Sequence, residues 1–159
     1  MLFFFLLIFL SCSLNFVWTA TPYTACESEL GTIKTFDVTG CTTVPCKFLK
    51  GKTYTMNLTF QSQASSITAK VSIHGIIAGM PIPFPLPDPD ACKLGVQCPI
   101  NNNDINTASL SLPVLSSYPS MSLHVKIEII GDDKNHDYAC LKFPATITSG
   151  SKQLKKFIG

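Results

Sequence analysis

The chain has 159 residues, 46% of them hydrophobic and 14% charged, and a formal net charge of only +2, with lysine supplying all twelve basic residues. So even a balance lacks the concentrated basic face that nucleic acid requires, and excludes that class of partner. The length suits one domain with its own core, and no internal repeat or low-complexity linker marks a second.

The chain opens on "MLFFFLLIFL", followed by "SCSLNFVWTA". The apolar run Leu2–Leu10 is far shorter than the about 20 residues a membrane span needs, and fits the apolar core of a signal peptide. Residues 1–20 are therefore expected to be cleaved. Bulky Trp18 sits at a site that prefers small residues for a cut after Ala20, so a cut after Thr19 is the alternative. The remainder is expected to form one domain over residues 21–150 and a basic tail over 151–159. The tail carries Lys152, Lys155 and Lys156 beside Phe157 and Ile158 and reads as a solvated terminus.

Cleavage removes Cys12 and leaves Cys26, Cys41, Cys46, Cys92, Cys98 and Cys140, an even number in a chain bound for an oxidising compartment. Three disulfides are expected. Cys41 with Cys46 and Cys92 with Cys98 are close enough to staple single loops, which leaves Cys26 with Cys140 to join the two ends. A metal site does not fit, because the cysteine spacings are wider than CxxC and no histidine lies near them.

In chain order, "TFDV" places Phe36 and Val38 on one face. "TYTMNLTF" alternates Tyr54, Met56, Leu58 and Phe60 with Thr53, Thr55, Asn57 and Thr59, the pattern of a half-buried strand. It puts Asn57, of the sequon Asn57-Leu58-Thr59, on the outer face, where a glycan is tolerated. "SITAKVSIHG" predicts Ile67, Ala69, Val71 and Ile73 inward. "SLHVKIEII" predicts Leu123, Val125, Ile127 and Ile129 inward, and "KFPATIT" Phe143, Ala145 and Ile147. No stretch carries a helical stripe. Turn signals fall at Gly51, Gly75, Gly79, Asn101–Asp104 and Gly131–Asn135. The fold class is all-β, an antiparallel two-sheet sandwich of six to eight strands.

Catalysis has no obvious home: GxSxG, HExxH and a phosphate-cradling glycine loop are all missing. His74, His124 and His136 fall on separate segments and read as structural or solvated. Asp132, Asp133 and Asp137 are interrupted by Lys134 and lack calcium-loop spacing, so they read as a hairpin turn. No cofactor is expected. What stands out is "GMPIPFPLPDPDACKLGVQCPI", Gly79–Ile100, which holds six of the eleven prolines. Pro81, Pro83, Pro85, Pro87 and Pro89 alternate with Met80, Ile82, Phe84 and Leu86. Proline donates no ladder hydrogen bond, so the segment belongs at a sheet edge or beyond it. A stiff apolar ridge of this kind either caps the core or rims a pocket.

The stretches "VSIHGIIAGMPIPFPLPDPDACKLGVQCPI", "LPVLSSYPSMSLHVKIEI" and "DDKNHDYAC" together resemble the Niemann-Pick type C protein 2 family of secreted or lysosomal sterol-binding proteins. The likeness runs from about Cys26 to Ile147. It implies an immunoglobulin-like sandwich with a lipid tunnel between its sheets, and the pairing Cys26–Cys140, Cys41–Cys46 and Cys92–Cys98. It also implies a mouth formed by Phe84, Val114, Tyr118 and Pro119, with Ile82 and Met80 beside Phe84, and a glycan on Asn57. The function implied is non-enzymatic: a monomer carries one sterol and hands it to a membrane surface or a receptor protein. The alternative is an extracellular module that recognises fatty acids, semiochemicals or microbial lipids in chemosensing or innate immunity. The chain departs from the pattern in three ways. Ile127 and Leu141 stand where some relatives have tryptophan, Gly131 looks like an insertion before Asp132, and the basic tail is extra.

Overall fold

The computed structural model describes residues 20–133 and 136–150. Most of the expected signal segment and the basic tail lie outside the described residues. Among the described residues nine strands are present: β1 Thr24–Ala25, β2 Gly31–Val38, β3 Cys46–Leu49, β4 Thr53–Ser62, β5 Lys70–Ile77, β6 Met80–Pro83, β7 Ile105–Pro113, β8 Met121–Ile130 and β9 Asp137–Thr148. One short 3-10 turn, Ala91–Leu94, interrupts the loop after β6. One sheet has the order β1-β9-β8-β5-β6, with β3 added in parallel to β9, and the other has the order β2-β4-β7.

Alternation explains why these segments pair as two packed layers. Along β4, Met56, Leu58 and Phe60 are buried while Thr53 and Thr55 are exposed, and β8 buries Val125, Ile127 and Ile129 in the same way. Between the sheets Phe36, Phe60 and Phe143 are each fully buried, and each such side chain contributes about 1.5–3 kcal/mol by leaving water. The Phe36 and Phe143 rings lie 5.2 Å apart and bridge the two layers. Ile127 and Leu141 face each other in the β8–β9 register and are fully buried, so the places of the missing tryptophans are filled by aliphatic packing.

One expected inward residue is not inward. Ile67 is 76% exposed because β5 begins only at Lys70, and the preceding segment is held instead by the Asp132 carboxylate, which accepts from the Ile67 amide at 2.7 Å. The expected strand count is exceeded because β1 and β3 are too short to carry an alternation signal.

The edge position expected of the prolines is realised in β6, which pairs only with β5. The two strands meet through a two-residue turn at Ala78 and Gly79, both with positive φ (49° and 82°), the type I′ pattern whose twist matches a hairpin. Gly131 has a packing reason. A Cβ there would lie 2.5 Å from the Tyr138 ring and 2.8 Å from the Ser66 hydroxyl, so only glycine lets buried Tyr138 close that end.

The three disulfides are Cys26–Cys140, Cys41–Cys46 and Cys92–Cys98, with Cα separations of 5.1, 5.3 and 5.6 Å. The first spans 114 residues and ties the segment after β1 to β9. The third closes the loop around the 3-10 turn, which Asp90 caps by accepting from the Cys92 amide at 3.0 Å. The proline segment is thus fastened at one end by the hairpin and at the other by a covalent staple.

Candidate functional site

At the end of the sandwich bearing the β5–β6 hairpin, the two sheets part around a narrow apolar cavity with about 60 Å³ of free space, open to solvent at its mouth. Its inner wall comes from β5 (Ile73, Gly75), β7 (Leu112) and β8 (Val125), and its side from Phe48 of β3 and Ile147 of β9. Each is an inward position of its strand, so the alternation that builds the core also builds the cavity. Gly75 makes room there, since a Cβ at that position would touch the Leu123 side chain at 3.0 Å.

The mouth is made by two loops. Phe84 follows β6 and is fixed by its amide, which donates to the Ile73 carbonyl at 2.8 Å. Tyr118, in the loop after β7, meets it edge-on, with ring centroids 6.1 Å apart at 79°. Val114 is buried between them and pinned by backbone hydrogen bonds on both sides: its amide donates to the Lys52 carbonyl at 2.8 Å, and its carbonyl accepts from Gly51 at 2.6 Å. Phe84, Val114 and Tyr118 therefore converge on the cavity, as the sequence implies. Met80, Ile82 and Pro119 lie outside its lining. Met80 and Ile82 are 63% and 48% exposed on the edge strand, and Leu115, in the loop after β7, is exposed as well.

Phe48 and Leu112 are not anticipated from sequence. Phe48 sits on a four-residue strand beside the second cysteine pair, too short to show a period. Leu112 has a legible signal, since "INTASLSLP" alternates Asn106, Ala108, Leu110 and Leu112 on the buried face.

The lining carries no carboxylate or lysine side chain. The His74 Nδ1 lies 3.5 Å from the Glu128 carboxylate on β8, which also pairs with Lys126. Asp137, near Glu128, is pushed up to about 6 by burial first and then by the Glu128 charge. Glu128, Asp137 and Cys140 come close enough to suggest a metal site, but the Cys140 sulfur is committed to its disulfide. Wider hollows on the outer face of the larger sheet, such as the one over Ile76, His124 and Pro144, are open surface grooves.

Asn57 lies on the outer face of β4, the middle strand of the smaller sheet. Its Nδ2 donates to the Asp37 carboxylate at 3.0 Å, and its Oδ1 accepts from the Ser109 hydroxyl at 2.8 Å.

An antiparallel two-sheet sandwich with a gated apolar cavity between its layers defines a class of small non-polar ligand carriers. The comparisons specify the family. Residues 20–147 match the ML domain. The chain is 37% identical over 140 residues to NPC intracellular cholesterol transporter 2 of Bos taurus, covering 88% of this chain and 93% of that one. It is 41% identical over 124 residues to the Danio rerio protein of the same name, covering 78% and 83%. Among solved structures it resembles a Niemann-Pick type C2 protein from Japanese carpenter ant, with a TM-score of 0.74 at 24% identity over 80% of this chain and 99% of that one. The chain belongs to the ML-domain family, in its Niemann-Pick type C2 branch.

Proposed function

We propose that this protein binds one sterol in the cavity behind Phe84 and Tyr118 and hands it to a membrane surface or a receptor protein, without chemical conversion. The observation that carries the reading is the cavity: it lies between the sheets with an almost wholly apolar lining, and two aromatic rings on preformed loops flank its open mouth. Its free space of about 60 Å³ lies below the usual range of ligand sites, so a sterol enters only as Phe84 and Tyr118 swing apart and the cavity widens. Relatives at 37% and 41% identity are named cholesterol transporters, which supports a sterol over other apolar ligands.

A sterol of about 28 heavy atoms, at about 0.3 kcal/mol per atom, would bind with about 8 kcal/mol, near micromolar affinity. That strength keeps the ligand out of water and still allows release. Tyr118 is suited to a gate, because its ring packs on apolar surface while its hydroxyl stays wet. Exposed Met80 and Ile82, on the edge strand that leads into Phe84, would meet the membrane or receptor during transfer. The protein is taken to act as a secreted or lysosomal monomer, its signal peptide removed and Asn57 glycosylated on the open face of the smaller sheet.

A second reading, recognition of a fatty acid or microbial lipid, draws on Ile127 and Leu141, which change the packing behind the cavity. Displacement of a fluorescent sterol from the purified protein tests the choice. Competition by cholesterol and not by fatty acids supports the carrier. Competition only by acyl-chain lipids moves the function to recognition.

A further inference from the structure

We infer that Pro81 and Pro83 close the free edge of β6 to strand addition, so that this chain exposes an apolar edge strand leading to its cavity mouth without pairing there with a second copy of itself. The inference goes beyond the lipid reading, and its test uses no lipid.

The direction in which the two prolines face follows from the hairpin register. Met80 lies opposite Ile77, Pro81 opposite Ile76, Ile82 opposite Gly75 and Pro83 opposite His74. The next residue, Phe84, donates its amide to the Ile73 carbonyl at 2.8 Å. Along an antiparallel ladder, opposed pairs alternate between those that exchange hydrogen bonds and those whose backbone groups turn away. Phe84 bonds toward β5, so Ile82 and Met80 do as well, and positions 81 and 83 turn to the free edge. Proline therefore stands at the two places in β6 where a missing N–H takes nothing from the bonding to β5. What the prolines remove is every donor that β6 would show at its outer side, and carbonyls alone are left there.

The side chains show why such a device matters. All four residues of β6 are exposed and none is charged. An uncharged apolar strand with an open edge is a template for a further strand. Against β6, an incoming strand finds acceptors and no donors, so it forfeits half of the ladder hydrogen bonds and leaves its own carbonyls unpaired. The edge strand β2 of the smaller sheet is closed by the opposite means. There Thr21 donates its amide to the Phe36 carbonyl at 3.1 Å, and its Oγ1 accepts from the Val38 amide at 2.9 Å, so the outward groups are satisfied from within the chain. Among the described residues β6 has no such cover and pairs with β5 alone. Keeping that edge unpaired leaves the arm that leads into Phe84 unencumbered, whereas a second chain laid along it would hold the arm in place.

The test is sedimentation velocity of the ligand-free protein over about a hundredfold range of concentration, comparing wild type with Pro81→Thr/Pro83→Thr. Threonine suits a strand, restores the backbone donor and adds no large apolar surface. The wild type is expected to keep one sedimentation coefficient throughout, and the double variant to shift to dimer or larger as concentration rises. Hydrogen exchange locates the contact: the amides at positions 81 and 83 of the variant should gain about tenfold protection between the two ends of the range. A double variant that stays monomeric overturns the inference, as does association of the wild type to the same extent, or association of the variant without protection at those two amides. If the double variant does not unfold cooperatively, Pro81→Thr and Pro83→Thr are compared singly, each with one donor restored, and monomers in both overturn the inference equally.

Discussion

At the scale of single residues, Phe84 and Tyr118 do different work from the phenylalanines of the core. Both are only partly buried and meet each other across an opening, so truncating either removes contacts to a ligand and few contacts to the fold. Phe84→Ala and Tyr118→Ala should each weaken sterol binding about tenfold while melting within a few degrees of the wild type; calorimetry alongside fluorescence titration checks the pair. Gly131 makes the opposite case, since it touches no cavity and is confined by Tyr138 and Ser66. Gly131→Ala should cost about 1–3 kcal/mol in urea unfolding with ligand affinity per folded molecule unchanged. Asp137 makes stability depend on pH. Its folded pKa of about 6 lies above the ordinary carboxylate range. The folded state therefore binds the proton more tightly, stability is fullest below about pH 4, and it declines as pH rises from there through 6. Melting temperature should fall between pH 4.5 and 7.5, and Asp137→Asn should flatten that fall.

At the scale of elements, the strands legible in sequence are those whose period of two runs for six or more residues. β4, β8 and β9 show it in sequence and bury those phases, and the edge position of the prolines stems from their missing N–H donors. β1 and β3 are not legible, because two or four residues carry no period and β3 is defined by its partner β9. β7 is legible in principle, but small Ala108 and the serines between blunt its contrast. The same limit governs the site. Phe84, Val114 and Tyr118 sit in loops with distinctive proline and aromatic content, whereas Phe48 and Leu112 belong to the cavity only through pairings that sequence does not display. Met80 and Ile82 share the phase of Phe84 yet belong to edge strand β6, which is exposed along its whole length. The Cys26–Cys140 link is the element with the largest expected effect on stability. Replacing both cysteines by alanine should lower it by about 4–5 kcal/mol in the chain-entropy account, for the 114-residue separation. Equilibrium urea unfolding reads that loss.

At the scale of the whole molecule, the design separates a rigid container from an adjustable mouth. Two sheets packed through Phe36, Phe60 and Phe143 fix the far end, and the cavity opens only where strands end and two stiff loops face each other. A loop already fastened by a hairpin and a disulfide has little freedom left to lose when a ligand arrives. The same arrangement makes release a local event, which suits handing a lipid on. The most direct test of the carrier reading is mass spectrometry of lipids extracted from the mature protein purified from its own source, with wild type and Phe84→Ala treated alike. The account predicts sterol near one equivalent in the wild type and a marked loss in the variant. Sterol absent from both, or a fatty acid or other lipid recovered in its place, would contradict it.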